Sequence, residues 1–356
     1  MLRTSSLAGG GPSIAQAVFL EDTQPIDVTI YGRRYLQSGY IETDTSTFDT
    51  SIFTYKSFSN ATPRDAQFGT DAINDSIYDG DQFVVVGGDG KLSTSTDGET
   101  WVSQTSSFGA SVIRGVTYGL GLYVIVGATQ KIASSPDGAN WSARTSPTSG
   151  AYYTACFGDG LFLAGGSDGL LSSSTNGTTW VSQVSGFGSS YITGVTYGNG
   201  VYVIAGFDGK ISSSTDGITW TPRTSQFGSS TIQAVKYLNG LFVAVGTLGK
   251  ISTSTDGAIW IERTTSEASA LYSVDYINGR YILVGGSGVI ISTVDFESWK
   301  DEATGQNNNL FAISNDGTTT ITAGNSGSLY SSNYLSFAGS TVAYAENGEN
   351  QYIRIT

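Results

Sequence analysis

The residues of this sequence that could carry acid–base chemistry are carboxylates, because the chain has no histidine and only one cysteine. Histidine is the commonest general base in enzymes and a common metal ligand. Its absence argues against a histidine-dependent active site and a transition-metal site, and we predict neither a metal nor a cofactor. Cys156 has no second cysteine for an intrachain disulfide, and we interpret it as a small buried residue rather than a nucleophile.

Asp89, Asp168 and Asp208 are the carboxylates that a glycosidase hypothesis would use. Such an enzyme needs two carboxyl groups facing one cleft. Each of the three is followed by glycine, and Asp-Gly is a common turn sequence. We therefore interpret them as turn residues.

The overall charge restricts the kinds of partner. The chain has 17 Lys and Arg against 30 Asp and Glu, a formal net charge of −13. Nucleic acid and anionic membrane surfaces both require a positive field, so we expect neither as a partner. No apolar stretch is long enough to insert in a membrane, and residues 1–20 contain a Gly-Gly-Gly-Pro run rather than the apolar core of a signal peptide.

The six tryptophans reveal an internal repeat. They are spaced 40, 39, 40, 40 and 39 residues apart, and each follows an Asp or Asn by four residues. Segment 331–337 is a degenerate seventh copy, in which Phe replaces Trp. The repeated residues are Asp97, Trp101, Asp137, Trp141, Asn176, Trp180, Asp216, Trp220, Asp256, Trp260, Asp295 and Trp299.

Each repeat contains four short strands. In residues 191–224, β-branched and aromatic runs are separated by Asn-Gly and Asp-Gly turns. A unit of about 40 residues with four antiparallel strands is typical of a propeller blade. Innermost strands near Ser76, Ile113, Tyr153, Ile192, Ile232, Leu271 and Leu310 predict an all-β, seven-bladed β-propeller of four-stranded antiparallel blades with a short N-terminal arm.

The ring should be closed by a strand from its N-terminal side. Residues 61–73 align with 220–232, which contain an outermost strand. We predict that a strand near 56–66 joins the last blade; 335–344 is the competing candidate. The expected organisation is an N-terminal arm or virion-docking segment at 1–52, a propeller at 53–340 and a C-terminal β tail at 341–356.

The segments Ser-Thr-Asp-Gly-Glu-Thr-Trp at 95–101 and Ser-Thr-Asp-Gly-Ile-Thr-Trp at 214–220 resemble the Asp-box of sialidase-type propellers, in a variant where Gly directly follows Asp. The resemblance implies a propeller and says little about activity. Sialidases hold their substrate with three converging arginines. Arg144, Arg223 and Arg263 instead recur three residues after Trp, on outermost strands, and only Arg114 lies near an innermost strand. We therefore expect a non-enzymatic protein.

One face of the propeller is a possible binding surface. Phe68, Phe108, Phe187 and Phe227 precede glycine in the links between blades, and lysines recur at the start of third strands. The phenylalanines either plug the gaps between blades or form an aromatic platform for a flat sugar or a protein. The lysines suit a solvated face or a binding face. The residues assigned to this candidate face are Phe108, Phe187, Phe227, Lys91, Lys210 and Lys250.

The two ends of the chain suggest a biological setting. Residues 35–39 read Tyr-Leu-Gln-Ser-Gly, 42–45 Glu-Thr-Asp-Thr and 352–356 Tyr-Ile-Arg-Ile-Thr. These segments resemble parts of tail-fibre-like proteins of tailed bacteriophages, with Tyr35 in place of a tryptophan. The resemblance implies a virion protein of the tail that contacts other virion proteins through residues 1–52, binds a host glycan or protein, and forms a homotrimer. The alternatives are a bacterial propeller scaffold or assembly factor and a glycan-degrading enzyme.

Overall fold

The computed structural model describes residues 61–302 and 307–333, together with short strands nearer the two ends. The chain divides into two compact units, Phe58–Asn333 and a second unit made of Met1–Ser57 with Tyr334–Thr356. In the second unit, Thr4–Ser6 pairs with both Ile14–Ala15 and Glu42–Asp44. Val28–Thr29 pairs with Glu349–Ile355, which also pairs with Thr341–Glu346.

The unit Phe58–Asn333 is an all-β, seven-bladed propeller, as the repeat predicted. Each blade is a four-stranded antiparallel sheet whose strands run outward from the axis in chain order. From inner to outer strand, the blades are Ile73–Tyr78, Phe83–Gly87, Lys91–Ser95 and Val102–Thr105 (blade 1); Ile113–Gly119, Leu122–Gly127, Ile132–Ser135 and Ser142–Arg144 (blade 2); Tyr152–Gly158, Leu161–Gly166, Leu170–Ser174 and Val181–Val184 (blade 3); Ile192–Gly198, Val201–Gly206, Lys210–Ser214 and Thr221–Thr224 (blade 4); Ile232–Leu238, Leu241–Gly246, Ile251–Ser254 and Ile261–Arg263 (blade 5); Leu271–Ile277, Arg280–Gly285, Ile290–Thr293 and Lys300–Asp301 (blade 6); and Leu310–Asn315, Thr319–Gly324, Leu329–Asn333 and Thr62–Pro63 (blade 7).

The outer strand of blade 7 comes from the beginning of the ring unit. Thr62 pairs with Ser331 and Pro63 with Tyr330. The Arg64 side chain donates from Nε to Ser331 Oγ at 2.6 Å and pairs with Glu99 of blade 1 at 2.8 Å. These contacts join the first and last repeats. Of the competing segment 335–344, residues 335–340 lie outside the described part of the chain.

The hydrophobic core lies between blades. The second strands of blades 1 to 6 are mostly apolar and buried beyond their first residue, and that of blade 7 buries three threonines, because both faces of each sheet are covered by neighbouring sheets. Burying one Val or Phe side chain contributes about 1.5–3 kcal/mol. The cluster between blades 2 and 3 includes Val124, Val126, Phe162, Ala164 and Trp180. The equivalent cluster across the closure includes Phe83, Val85, Trp101, Ile321 and Ala323.

Strand direction sorts the turns onto two faces. The link face carries the turns between second and third strands together with the links between blades, and the Asp-box face carries the remaining turns. Six link-face turns are single 3₁₀ turns: Gly88–Gly90, Ser167–Gly169, Phe207–Gly209, Thr247–Gly249, Gly286–Gly288 and Asn325–Gly327. Among the described residues, no helix is long and apolar enough to cross a membrane.

The last glycine of these turns is required by two constraints. Gly209 has φ +63, and a Cβ there would overlap the carbonyl oxygen of Gly228 in the following link. Gly228 itself has φ +59, but a Cβ there would meet nothing within 4 Å. Both glycines have a left-handed backbone, but only Gly209 is closely packed. Comparing substitutions at the two positions therefore separates the energetic cost of the backbone conformation from that of the packing.

We predict that Gly228→Ala lowers the free energy of unfolding by about 1–2 kcal/mol, the cost of a left-handed non-glycine residue. Gly209→Ala should cost about 1–3 kcal/mol more, because its added methyl group overlaps backbone. Urea denaturation of both variants measures the difference. Equal destabilisation would contradict the close approach of turn and link.

Candidate functional site at the axial channel

The seven inner strands each contain a β-bulge at their second residue. The pairing with the second strand skips this residue in every blade, for example between Ile113 and Gly115 and between Ile192 and Gly194. A bulge leaves one residue unpaired and redirects its side chain. Here it turns seven side chains toward the axis: Asn74, Arg114, Tyr153, Thr193, Gln233, Tyr272 and Phe311.

These seven residues, here called the mouth ring, line an axial cavity of about 500 Å³. The bulges lie at the start of the inner strands, so the mouth ring is on the link-face side of the channel. All seven side chains are half-buried. Some of them contact the next blade: Asn74 donates to the Ile113 carbonyl at 2.8 Å, and Thr193 donates to the Ile232 carbonyl.

Arg114 is the one cation of the mouth ring. Its guanidinium carbon lies 4.6 Å from the centroid of the Tyr153 ring, a cation–π distance. Its Nε is buried without a hydrogen-bond partner. Within the described residues, Arg114 has no ion pair. The stacking on Tyr153 therefore positions a guanidinium whose polar edge is not occupied by a protein carboxylate.

A row of aromatic rings continues from Arg114 across the link face. Tyr153 stacks on Tyr191 with centroids 5.5 Å apart and an interplanar angle of 23°. Tyr191 stacks on Phe207 at 4.9 Å and 30°. Phe207 is 38% exposed at the 3₁₀ turn of blade 4. We call Arg114, Tyr153, Tyr191 and Phe207 the aromatic row.

Two carboxylates lie deeper along the inner strands. Asp75 accepts the Val116 N–H at 3.0 Å, and Asp275 accepts the Asn315 side chain at 3.0 Å. Burial raises the pKa of each carboxyl group above its usual value, while these hydrogen bonds and the charge of Lys236 act in the opposite direction. Of these groups, Asp75 and Lys236 line the axial cavity.

Cys156 also lines the channel. Burial raises the pKa of its thiol to about 12, so the thiol is protonated at neutral pH. A thiol in this state is a poor nucleophile. The residue is half-buried in the channel wall, which differs from the fully buried position that we expected.

The structure places the phenylalanines of the candidate face inside the protein. Phe108, Phe187 and Phe227 are each 1% exposed. Their rings pack in the clusters between blades and do not form the exposed platform that we considered. Rings without solvent exposure offer no surface to a sugar or a protein, which corrects their assignment to a binding face.

The lysines of the candidate face hold the links between blades. The Nζ atoms of Lys91, Lys210 and Lys250 donate to the carbonyl oxygens of Phe68, Phe187 and Phe227 at 2.8, 2.7 and 2.8 Å. Lys91 also pairs with Asp71 at 2.6 Å. Each ammonium group thus caps a backbone carbonyl of the link that precedes its blade.

The aspartates of the repeat cap their own turns. Asp97 Oδ1 accepts the backbone N–H groups of Glu99 and Thr100 at 2.8 and 2.7 Å, and the Ser95 hydroxyl at 2.9 Å. These hydrogen bonds hold the pKa of the carboxyl group below its usual value. Asp137, Asp216, Asp256 and Asp295 make the same bonds and have pKa values lowered in the same way, and Asn176 accepts the equivalent N–H groups through its amide oxygen.

The tryptophans lie where a blade meets the preceding one. Trp101, Trp180 and Trp260 are buried, and Trp141, Trp220 and Trp299 are half-buried. The indole N–H groups of Trp101, Trp141 and Trp260 donate to the glycine carbonyl of their own turn. Both the Asp and the Trp of the repeat are thus engaged within the fold.

The groups considered for catalysis do not converge. Asp89, Asp168 and Asp208 have φ values of 52°, 51° and 58° in the middle of their 3₁₀ turns. Arg144, Arg223 and Arg263 each donate to a hydroxyl on the third strand of their own blade. Among the described residues, no three His, Cys, Asp or Glu side chains form a group that could hold a metal.

We did not predict the mouth ring, although the sequence contains a signal for it. Each ring residue follows the first residue of an inner strand, a position occupied by Ile, Leu or Tyr. The residue after it changes from amide to guanidinium, phenol, hydroxyl and phenyl around the ring. Chemical variation at one position of a regular repeat is what marks the site.

The sequence matches no model of a known protein family. A search of curated proteins also found no match. The likeness to known proteins is therefore one of structure.

Several solved propellers resemble the chain. YCF48 bound to D1 peptide has a TM-score of 0.64 and 17% identity, over 78% of this chain and 95% of that chain. A catalytically inactive histidine-to-alanine variant of virginiamycin B lyase from Staphylococcus aureus, with quinupristin, has a TM-score of 0.71 and 12% identity, over 78% and 99%. The WD40 propeller domain of Doa1 has a TM-score of 0.60 and 14% identity, over 76% and 96%. At these identities the likeness establishes the propeller fold alone.

We predict that Asp256→Ala lowers the free energy of unfolding at pH 7 by about 1 kcal/mol, a typical net value for lost hydrogen bonds. Asp256→Asn should cost less, because an amide oxygen accepts the same N–H groups, as it does at Asn176. Urea denaturation measures both variants. Equal losses would contradict the capping role of the side-chain oxygen.

The pH dependence provides a second readout. The pKa of Asp256 is lower in the folded protein than in the unfolded chain. Its charged form therefore stabilises the fold at pH values above the unfolded pKa of about 4. This contribution to stability is lost as the pH falls toward the folded pKa. The gap in stability between the wild type and Asp256→Asn should therefore shrink between pH 5 and pH 3. A gap that widens on acidification would contradict this direction.

Proposed function

We propose that this chain is a non-enzymatic binding protein that recognises a protein partner through its link face and channel mouth. The observation that carries the proposal is the mouth ring, where seven equivalent, half-buried positions hold six different types of side chain. Residues that maintain the propeller fold are similar from blade to blade. Residues that recognise a ligand can differ between blades. Propellers present such surfaces around their channel.

Exposed apolar residues extend this surface. Besides Phe207, Leu248 of blade 5 is 69% exposed and has φ +60 at the tip of its 3₁₀ turn. A left-handed leucine that is largely open to solvent costs conformational energy and buries little surface within the chain. Apolar side chains beside a polar rim suit a protein contact. The similar propeller described as bound to a peptide provides an example of peptide binding on this fold.

The proposal of a binding protein rather than an enzyme is supported by the available side chains. The similar lyase was described as inactive after a histidine was replaced, and this chain contains no histidine. The carboxylates considered for a glycosidase lie in separate turns. Cys156 is protonated at neutral pH, because its pKa is raised to about 12.

We further propose that the protein belongs to a bacteriophage virion, as a tail-fibre or tail-tip component that binds a host protein or another virion protein. This setting is supported by the resemblance of residues 35–45 and 352–356 to tail-fibre-like proteins. Residues 1–52 would contact other virion proteins, and the tail-fibre resemblance implies a trimer. A bacterial propeller scaffold is the second candidate, favoured by the peptide-bound propeller of similar structure.

We predict that the purified chain binds sequences on a random peptide array and that Phe207→Ser with Leu248→Ser weakens this binding about tenfold, because apolar contact on the link face is lost. The matched control is Ile218→Ser with Ile259→Ser, whose side chains are 56% and 72% exposed on the Asp-box face. The control should bind as the wild type does. Loss of binding in the control alone, or binding only to a glycan array, would contradict the proposal.

The virion setting has its own test. Mass spectrometry of particles purified from a lysate of cells that carry this reading frame should detect the protein in fixed ratio to the tail proteins. If the chain is found in the soluble fraction and is absent from the particles, this result would contradict the virion assignment and favour the scaffold.

A further inference from the structure

We infer that Arg114 binds the C-terminal carboxylate of an extended partner peptide, whose preceding residues lie along Tyr153, Tyr191 and Phe207. This inference rests on the proposed function, since it names the chemistry that the channel mouth recognises. A carboxylate matches the planar fork of a guanidinium through two parallel hydrogen bonds.

Arg114 has the features of an anion receptor. Its Nε is buried without a hydrogen-bond partner, as are the indole N–H groups of Trp180 and Trp220, but of these three side chains only Arg114 lines the axial cavity. The other described arginines of the blades donate from Nε to a hydroxyl, as Arg223 does to Ser213 at 2.8 Å. Arg114 differs from this pattern and faces a cavity instead.

The site is built before a ligand arrives. The guanidinium carbon of Arg114 lies 4.6 Å from the centroid of the Tyr153 ring; Tyr153 in turn stacks on Tyr191, which stacks on Phe207. A side chain held in this way loses little conformational freedom on binding. The aromatic row also provides a continuous apolar surface that leads from Arg114 to the rim of the link face.

The electrostatic surroundings favour a single carboxylate at the end of a chain. The protein has a net charge of −13, so it repels segments that carry several acidic residues. Deeper in the channel, the cavity is lined by the Asp75 carboxyl group, whose pKa is raised by burial, and by the Lys236 ammonium group. A terminal carboxylate can pair with Arg114 at the mouth without reaching either group.

A peptide fits the row better than a sugar does. The faces of Tyr153 and Tyr191 are covered by their neighbours in the stack. A sugar ring binds to an open aromatic face, whereas the exposed edges of stacked rings and the exposed Phe207 accept aliphatic and aromatic side chains. We therefore assign the carboxylate to a peptide and treat an acidic sugar as a competing outcome.

The test uses three pools of random hexapeptides that otherwise lack Asp and Glu, applied to the immobilised full chain. The first pool has free C-terminal carboxylates, the second is amidated, and the third is amidated with one internal Glu. Mass spectrometry quantifies the retained peptides. We expect the first pool to be retained about tenfold more strongly than the other two, as expected for a charge-assisted bidentate pair.

Variants identify the group responsible. Arg114→Met should reduce retention of the first pool to that of the amidated pool, and Arg114→Lys should restore part of it as a point charge. The matched control is Arg223→Met, which removes an equal charge from the outer strand of blade 4 and should leave retention unchanged. Thermal unfolding of each variant establishes that it is folded.

Three results would overturn the inference: equal retention of acid and amide pools, retention of the Glu pool in place of the first, or retention of the first pool by Arg114→Met. Binding of glucuronate oligosaccharides without any peptide would also overturn it. If all pools bind equally and Phe207→Ser with Leu248→Ser abolishes that binding, the proposed function stands and the carboxylate inference fails.

Discussion

The covering of both apolar faces of every blade is the constraint on which this structure depends. Second strands such as Val201–Gly206 are buried on both sides, and a single sheet cannot cover itself. In a closed ring of seven blades, both faces of every sheet are covered by the same kind of contact with a neighbouring blade. The indole of Trp180 and its equivalents sit at this contact, and the indole N–H groups of Trp101, Trp141 and Trp260 donate to their own turns. The residues that repeat are thus those that pack one blade against the next.

Closure of the ring separates structural positions from free ones. Residues that face a neighbouring blade must keep their size, as the overlap at Gly209 illustrates. The bulge residue of each inner strand lines the channel, and its type varies around the ring even though Asn74 and Thr193 also donate to a carbonyl of the next blade. Recognition chemistry can therefore differ from blade to blade at this position. The channel mouth is where a propeller of near-identical blades becomes asymmetric.

The sequence predicted the blades and the turns because those features repeat. The sequence could not decide whether Phe108 is exposed, because an aromatic residue in a link has the same spacing whether it packs between blades or forms an exposed platform. A clue was present: a lysine follows such a phenylalanine by 23 residues in blades 1, 2, 4 and 5, whereas blade 3 has Leu170 at the lysine position and no Phe in the preceding link. The stacking of Arg114 on Tyr153 joins two blades, and no local pattern encodes it.

Formation of a disulfide across the closure tests the ring most directly. Thr62 and Ser331 lie opposite each other in the outer pair of blade 7, within the separation that a disulfide spans. In a Cys156→Ala background, Thr62→Cys with Ser331→Cys should oxidise to an intrachain disulfide and raise the unfolding temperature. The pair Thr62→Cys with Ser213→Cys, at the equivalent position of blade 4, should remain reduced. Failure of the first pair to cross-link, or cross-linking of the second, would contradict the closed propeller.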